Sequence, residues 1–206
     1  MLFYDTYILL ALVGIMSFLG FQNRDFMEKY LFHPYSVKHN REYYRFISHA
    51  FLHNDIGHLF FNCITLYFFG IPFEEYLKAY YGLLEGKIIF WIFVFLAMFA
   101  SSSISFFRHK DNSSYRSLGL SGVTAAILFA MIMLAPDMKL MIIFLPIPMS
   151  AWIFGILYLA FEIYSDRNKK TNIAHDAHIS GAIFGVLFIL FTNIEGVLIA
   201  FQRLFA

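Results

Sequence analysis

The sequence Gly119-Leu120-Ser121-Gly122 places a serine between glycines, and Ala177-His178-Ile179-Ser180-Gly181 places a histidine further along the chain. A serine hydroxyl is a weak nucleophile until a base takes its proton, and His178 is of the type that does so. His58 and Asn62 are four positions apart, on one face of a helix. Both can donate hydrogen bonds to the oxyanion that forms when a serine attacks a carbonyl, beside the backbone N–H of Ser121. The glycines at 119 and 122 let the backbone approach a substrate and its neighbours. No carboxylate to orient His178 is evident. Asp176 is two positions away, where helix side chains do not face each other, and it fits the N-cap of a helix instead. These residues spell a Ser–His dyad rather than a triad.

Such residues need elements that carry them to one place. The chain has 206 residues, of which 60% are apolar, 20% aromatic and only 14% charged. Its mean hydropathy is +0.65. Charged residues make up about 25% of an ordinary soluble domain, so this is the composition of an integral membrane protein. A net charge of +1 gives no footing for nucleic acid. The single cysteine, Cys63, excludes an internal disulfide and a cysteine-based metal cluster. Six stretches lack Asp, Glu, Lys and Arg: Thr6–Asn23, Ile56–Phe73, Ile88–Phe107, Ser117–Pro136, Leu140–Phe161 and Ala177–Ile194. Each approaches the ~20 residues that cross a bilayer. The expectation is one all-α bundle of six transmembrane helices over residues 1–206, with a long structured first loop from Gln22 to about Ser48. The start, MLFYDTY, has no basic leader and does not resemble a cleavable signal. The fifth helix is expected to open on Pro146-Ile147-Pro148, with loosened first turns, after a brief joint at Ala135–Lys139.

Chain alternation makes helices two, four and six all start from one face. His58 and Asn62, Ser121 and His178 then lie at similar depth below one surface. Polar side chains at membrane depth are costly and usually functional. Gly181 and Gly185 form a GxxxG pair that permits close helix contact. The loops on the same face hold five, three and three of the 15 Lys and Arg. By charge, that face belongs in the cytoplasm.

With these motifs in view, the sequence resembles a rhomboid intramembrane serine protease of the compact six-helix bacterial type. RFISHAFLHNDIGHLFFN resembles the family's Arg-plus-histidine loop and its His/Asn entry to helix two. GLSG matches GxSG, AHISGAIFG matches AHxxGxxxG, and Gly70 with Glu74 fits GxxxE. GxSG alone is a weak signal, but three motifs in this order, each entering an even helix from one face, are a strong one. The resemblance implies Ser121 as nucleophile, His178 as base, and an oxyanion site of His58, Asn62 and the Ser121 N–H. It implies supporting roles for Gly119, Gly122, Gly181, Gly185, His53 and Glu74. It implies peptide-bond hydrolysis in or near transmembrane segments, with no metal and no cofactor. The partners it implies are transmembrane protein substrates, approaching from the lipid bilayer between helices two and five, in the bacterial inner membrane. It places the active-site face outside the cytoplasm, against the charge count. Three positions depart from the pattern. Tyr44-Arg45 stands for Trp-Arg. Ala125 stands where an aromatic stacks on the catalytic histidine. Pro72 points to an early end of helix two.

Two other classes fit parts of the sequence. His49, His53 and His58 with Asp55, His175 and Asp176 resemble a metal site or ion pathway, since histidines four apart are a known ligand spacing; no HExxH motif accompanies them. A rhomboid-like binder that holds membrane helices without cutting is the other, although such relatives generally lose the serine or histidine and both are present here.

Overall fold

The computed structural model describes residues 4–142, 145–168 and 173–204. In the polar connection that follows Asn168, residues 169–172 lie outside the described set. The chain forms helices α1 (Asp5–Gln22), α2 (Arg24–Tyr30), α3 (Pro34–Asn40), α4 (Arg45–Ser48), α5 (Ile56–Thr65), α6 (Ile71–Tyr81), α7 (Leu83–His109) and α8 (Ser121–Leu134). A short antiparallel ribbon follows, β1 (Lys139–Ile142) with β2 (Leu145–Ser150), then α9 (Ala151–Asn168), α10 (His175–Thr192) and α11 (Ile194–Gln202).

The architecture is an all-α membrane bundle. Among the described residues, four helical segments are long and apolar enough to cross a bilayer: α1, the joined α5–α6 from Ile56 to Tyr81, α7 and α10. The other two expected spans differ in kind. The helix α8 has 14 residues, and α9 carries Glu162, Asp166 and Arg167. Large apolar side chains face outward around the bundle, among them Ile15, Phe18, Ile88 and Phe161, and Phe191 is 87% exposed. In water such a surface would drive association; in a bilayer it meets hydrocarbon, while backbone groups pair within each helix.

The centre is α8. Every residue from Gly122 to Ile132 is buried, as expected of a helix apolar on all sides. Glycine sets how closely α10 approaches it. A Cβ on Gly181 would sit 2.1 Å from the Gly122 carbonyl oxygen, and one on Gly185 would sit 2.1 Å from that of Ala126. On α7, Ser101 fills the same role: a Cβ on Gly122 would lie 2.3 Å from its Cβ.

Glu74 organises the opposite end of the site-bearing helices. Its buried carboxylate accepts hydrogen bonds from the backbone N–H groups of Asp5 and Thr6 at 3.0 and 2.9 Å, and from the Thr6 hydroxyl at 2.9 Å. Lys78 pairs with it at 3.0 Å. The first N–H groups of α1 have no intrahelical acceptor, and Tyr4 at the N-cap makes no side-chain cap. A carboxylate from α6 does that work.

Two boundaries differ from expectation. Pro72 does not end the second span: a π-type turn, Leu66–Gly70, precedes it, and α6 continues to Tyr81. Such a turn changes the hydrogen-bond register at the point where proline lacks its N–H. The fifth helix does not begin at Pro146-Ile147-Pro148. Those residues lie in β2, and the connection from α8 runs to Ser150 before α9 starts at Ala151. Two prolines two residues apart cannot both sit in a helix interior, whereas the open edge of a two-stranded ribbon tolerates a missing donor.

Candidate active site

Ser121 is the first residue of α8 and follows Gly119, whose φ of +122° lies in the region that favours glycine. A side chain at 119 would also land on the His58 ring, 2.7 Å from Cε1. The segment that leads into Ser121 is held by the histidine-rich stretch. The N–H of Gly119 donates to the His49 carbonyl at 3.0 Å, and the N–H of Leu120 donates to His53 Nε2 at 3.4 Å. Ser117 and Phe32 exchange backbone hydrogen bonds, which ties in the first loop. Arg45 anchors that loop by donating to the carbonyls of Glu28 and Leu31 at 3.0 and 2.6 Å.

His178 comes from the first turn of α10. Its Nε2 lies 2.7 Å from Ser121 Oγ, the geometry for passing a proton from hydroxyl to imidazole. Its other nitrogen, Nδ1, lies 3.0 Å from Glu162 Oε1, and the second carboxylate oxygen is 2.6 Å from His175 Nδ1. This carboxylate is the partner that the sequence reading does not find. It comes from α9, and spacing within one helix cannot reveal it. A signal existed nonetheless. Glu162 is the first residue past the apolar stretch that ends at Phe161, and the alternation that aligns helices two, four and six puts this end of helix five at their depth. Asp176 is not the N-cap of α10; Ala174 holds that position. Asp176 sits in the first turn, is buried, and faces Arg108 at 3.5 Å.

His58 and Asn62 line the same cleft as Ser121 and His178. Asn62 is buried; its amide donates to the His58 carbonyl at 3.0 Å, and its oxygen accepts from the Thr124 hydroxyl at 3.2 Å. Asn62 is therefore fixed against α8, one turn beyond Ser121. As the first residue of α8, Ser121 presents an N–H with no intrahelical acceptor. Positive helix-dipole charge gathers there as well. The cleft, about 1690 Å³, runs between α5 and α9 with α8 as its floor. Ala125 lies on that floor. The aromatic that the resemblance would put there is absent, and the ring of His178 is held by Glu162 instead.

The histidines at 49, 53 and 58 do not gather around a common point with Asp55. His49 donates from Nδ1 to the Arg45 carbonyl at 2.8 Å and meets Ser102 Oγ at 3.2 Å through Nε2. The His53 Nδ1 lies 2.9 Å from Ser17 Oγ. Since the Leu120 N–H donates to its Nε2, His53 is neutral with hydrogen on Nδ1. Among the described residues, the three ligand-type groups close enough to share an ion are Glu162, His175 and His178.

Burial pushes the His49 imidazole down to about 4 and that of His53 to about 3. An unfolded histidine binds its proton near pH 6.5. Below that pH the unfolded chain takes up protons that these two sites refuse, so stability falls as pH drops from 6.5 toward 4 and is unaffected by them above. Thermal melts across this range should show that fall. His53→Ala should reduce its slope while lowering the melting temperature at pH 7.5, since the Leu120 N–H loses its acceptor at a cost of about 1–3 kcal/mol. An unchanged melting temperature at pH 7.5 would remove His53 from this bracing role.

With this geometry in hand, comparison with known proteins identifies the family. The Rhomboid domain model matches residues 40–194, so the chain belongs to the rhomboid family, whose members include intramembrane serine proteases. It is 34% identical over 145 residues to RHOMBOID-like protein 12, mitochondrial, of Arabidopsis thaliana, covering 66% of this chain and 42% of that one. It is 28% identical over 176 residues to Rhomboid protease GlpG of Serratia proteamaculans, covering 84% of this chain and 55% of that one. The chain thus spans about half the length of these relatives.

Proposed function

We propose that this chain is a serine endopeptidase that hydrolyses peptide bonds in or near transmembrane segments of other membrane proteins. The observation that carries the reading is the 2.7 Å contact between Ser121 Oγ and His178 Nε2, set at the floor of a cleft between α5 and α9. The relative named a rhomboid protease supports the same reading. As Ser121 Oγ bonds to the substrate carbonyl carbon, its proton passes to His178 Nε2. The oxyanion is held by the Ser121 N–H with His58 and Asn62. The C–N bond then breaks as His178 returns the proton to the leaving amine. Water, activated by the same imidazole, hydrolyses the acyl-enzyme.

A substrate helix enters between α5 and α9 in this reading. It has to unwind locally, because the bonds of an intact helix are shielded by their own turns. Glycine and other poor helix formers near the cut lower that cost by up to ~1 kcal/mol per residue. The active-site face opens away from the cytoplasm, and the membrane is the bacterial inner membrane; the support for both is the likeness to the compact six-helix type. The test is cleavage of single-span membrane proteins by the purified chain in liposomes, with the new termini mapped by mass spectrometry. Fragments ending in or beside the span are expected. Intact substrate across a broad panel would count against proteolysis and leave a binding role for the cleft.

A further inference from the structure

We propose that Glu162 is a third member of the catalytic group: a positioning carboxylate that fixes the tautomer of His178 and is itself steadied by His175. The inference rests on the proteolytic reading above.

The geometry is specific. The Glu162 side chain is 5% exposed, that of His175 5% and that of His178 14%. One carboxylate oxygen meets each histidine, at 2.6 Å for His175 Nδ1 and 3.0 Å for His178 Nδ1. An ionised carboxylate only accepts hydrogen bonds, so each imidazole carries its hydrogen on Nδ1. For His178 this leaves the Nε2 lone pair facing Ser121 Oγ at 2.7 Å, the arrangement a general base requires. The opposite tautomer would place N–H against the hydroxyl and stop proton uptake. When Nε2 takes the Ser121 proton, the ring becomes cationic beside a buried anion, which stabilises it. Glu162 takes no proton itself; the proton leaves with the amine.

Other nearby charge does not substitute for it. Arg108 lies 2.8 Å from Asp166 and 3.5 Å from Asp176, so those carboxylates are paired with a cation. His175 gives Glu162 a second anchor from the same turn of α10. A carboxylate shared by two rings three residues apart on one helix has little freedom to rotate away from either.

A purely structural Glu162 would tie α9 to α10 without affecting the chemical step, and Glu162→Gln separates the two roles. The amide keeps the size and one acceptor, but it carries no charge and can donate to His178 Nδ1, favouring the wrong tautomer. In the serine-protease template, the equivalent carboxylate-to-amide change costs about 10⁴-fold in kcat. Here the amide can also turn its oxygen to His178, so a fall in kcat of about 10²-fold is expected, with KM within twofold. The melting temperature, measured in a Ser121→Ala background, should fall only modestly, because one of the two histidines loses its acceptor while the other keeps it. Unchanged kcat, or a loss confined to KM, would overturn the proposal.

A second measurement uses the unaltered protein and needs neither activity nor a stable variant. Nitrogen-15 spectra of histidine-labelled protein in micelles should show His178 as the Nδ1–H tautomer. An Nε2–H tautomer at neutral pH would overturn the proposal even if proteolysis were established. Absence of cleavage by the unaltered protein, together with an Nδ1–H tautomer, would refute the enzyme reading and not this geometry.

Discussion

Ser121→Ala and His178→Ala are each expected to abolish cleavage of a membrane substrate. Ser121 supplies the only oxygen within reach of His178 Nε2 among the hydrogen bonds of the described residues, so its loss removes the proposed nucleophile. In the proposed mechanism His178 takes and returns the proton. In the serine protease subtilisin, removing the serine or the histidine alone costs about 10⁶-fold in kcat, and a loss of that size would leave no measurable cleavage. The two variants should differ in stability. Ser121→Ala deletes one hydroxyl at the cleft floor and should melt close to the unaltered protein. His178→Ala also removes a partner from the buried Glu162 carboxylate, at a cost of about 1–3 kcal/mol. Both are read by fragment yield per enzyme and by thermal melting in the same detergent. Substantial cleavage by purified Ser121→Ala would give the chemistry to another residue.

Gly181→Val should be among the most damaging single changes to the fold. The first carbon of any side chain there falls 2.1 Å from the Gly122 carbonyl oxygen. The clash is with backbone, which cannot rotate aside, so α10 must move off α8. Overpacking of side chains costs about 1–3 kcal/mol; displacing a helix pair belongs in the tail beyond about 4 kcal/mol. The shift would also carry His178 away from Ser121. Gly14→Ala is the matched control, because nothing lies within 4 Å of a Cβ there. That change should be neutral or stabilising by up to ~1 kcal/mol. Melting temperatures of the two variants, measured side by side, decide the matter. A Gly181→Val protein that melts normally would mean that the α8–α10 contact is looser than described.

What the sequence discloses depends on how locally it is encoded. The order of the spans is local, because hydrophobic length alone signals a membrane helix. The serine and histidine sit in short motifs, and chain alternation is enough to predict a common depth for them. Glu162 is different. Its role comes from α9 packing beside α10, and neither helix records its neighbour in its own pattern. The fifth span shows a second limit. Leu140–Phe161 is uniformly apolar, and apolarity does not separate ribbon from helix; the prolines at 146 and 148 carried the information. Pro72 shows the converse, since a π-type turn N-terminal to a proline lets a helix run on. The histidine stretch divides by environment. His49 and His53 are buried and hold the chain that leads to Ser121, whereas His58 and Asn62 line the cleft.

The most direct measurement of the central claim is the site of reaction with a fluorophosphonate. This reagent phosphonylates a serine oxygen that an adjacent base has activated. The purified protein should acquire one adduct, which peptide mass spectrometry places on Ser121, and the His178→Ala protein should acquire none. A folded protein that stays unlabelled, or one labelled instead at Ser101, Ser102 or Ser105, would contradict the account.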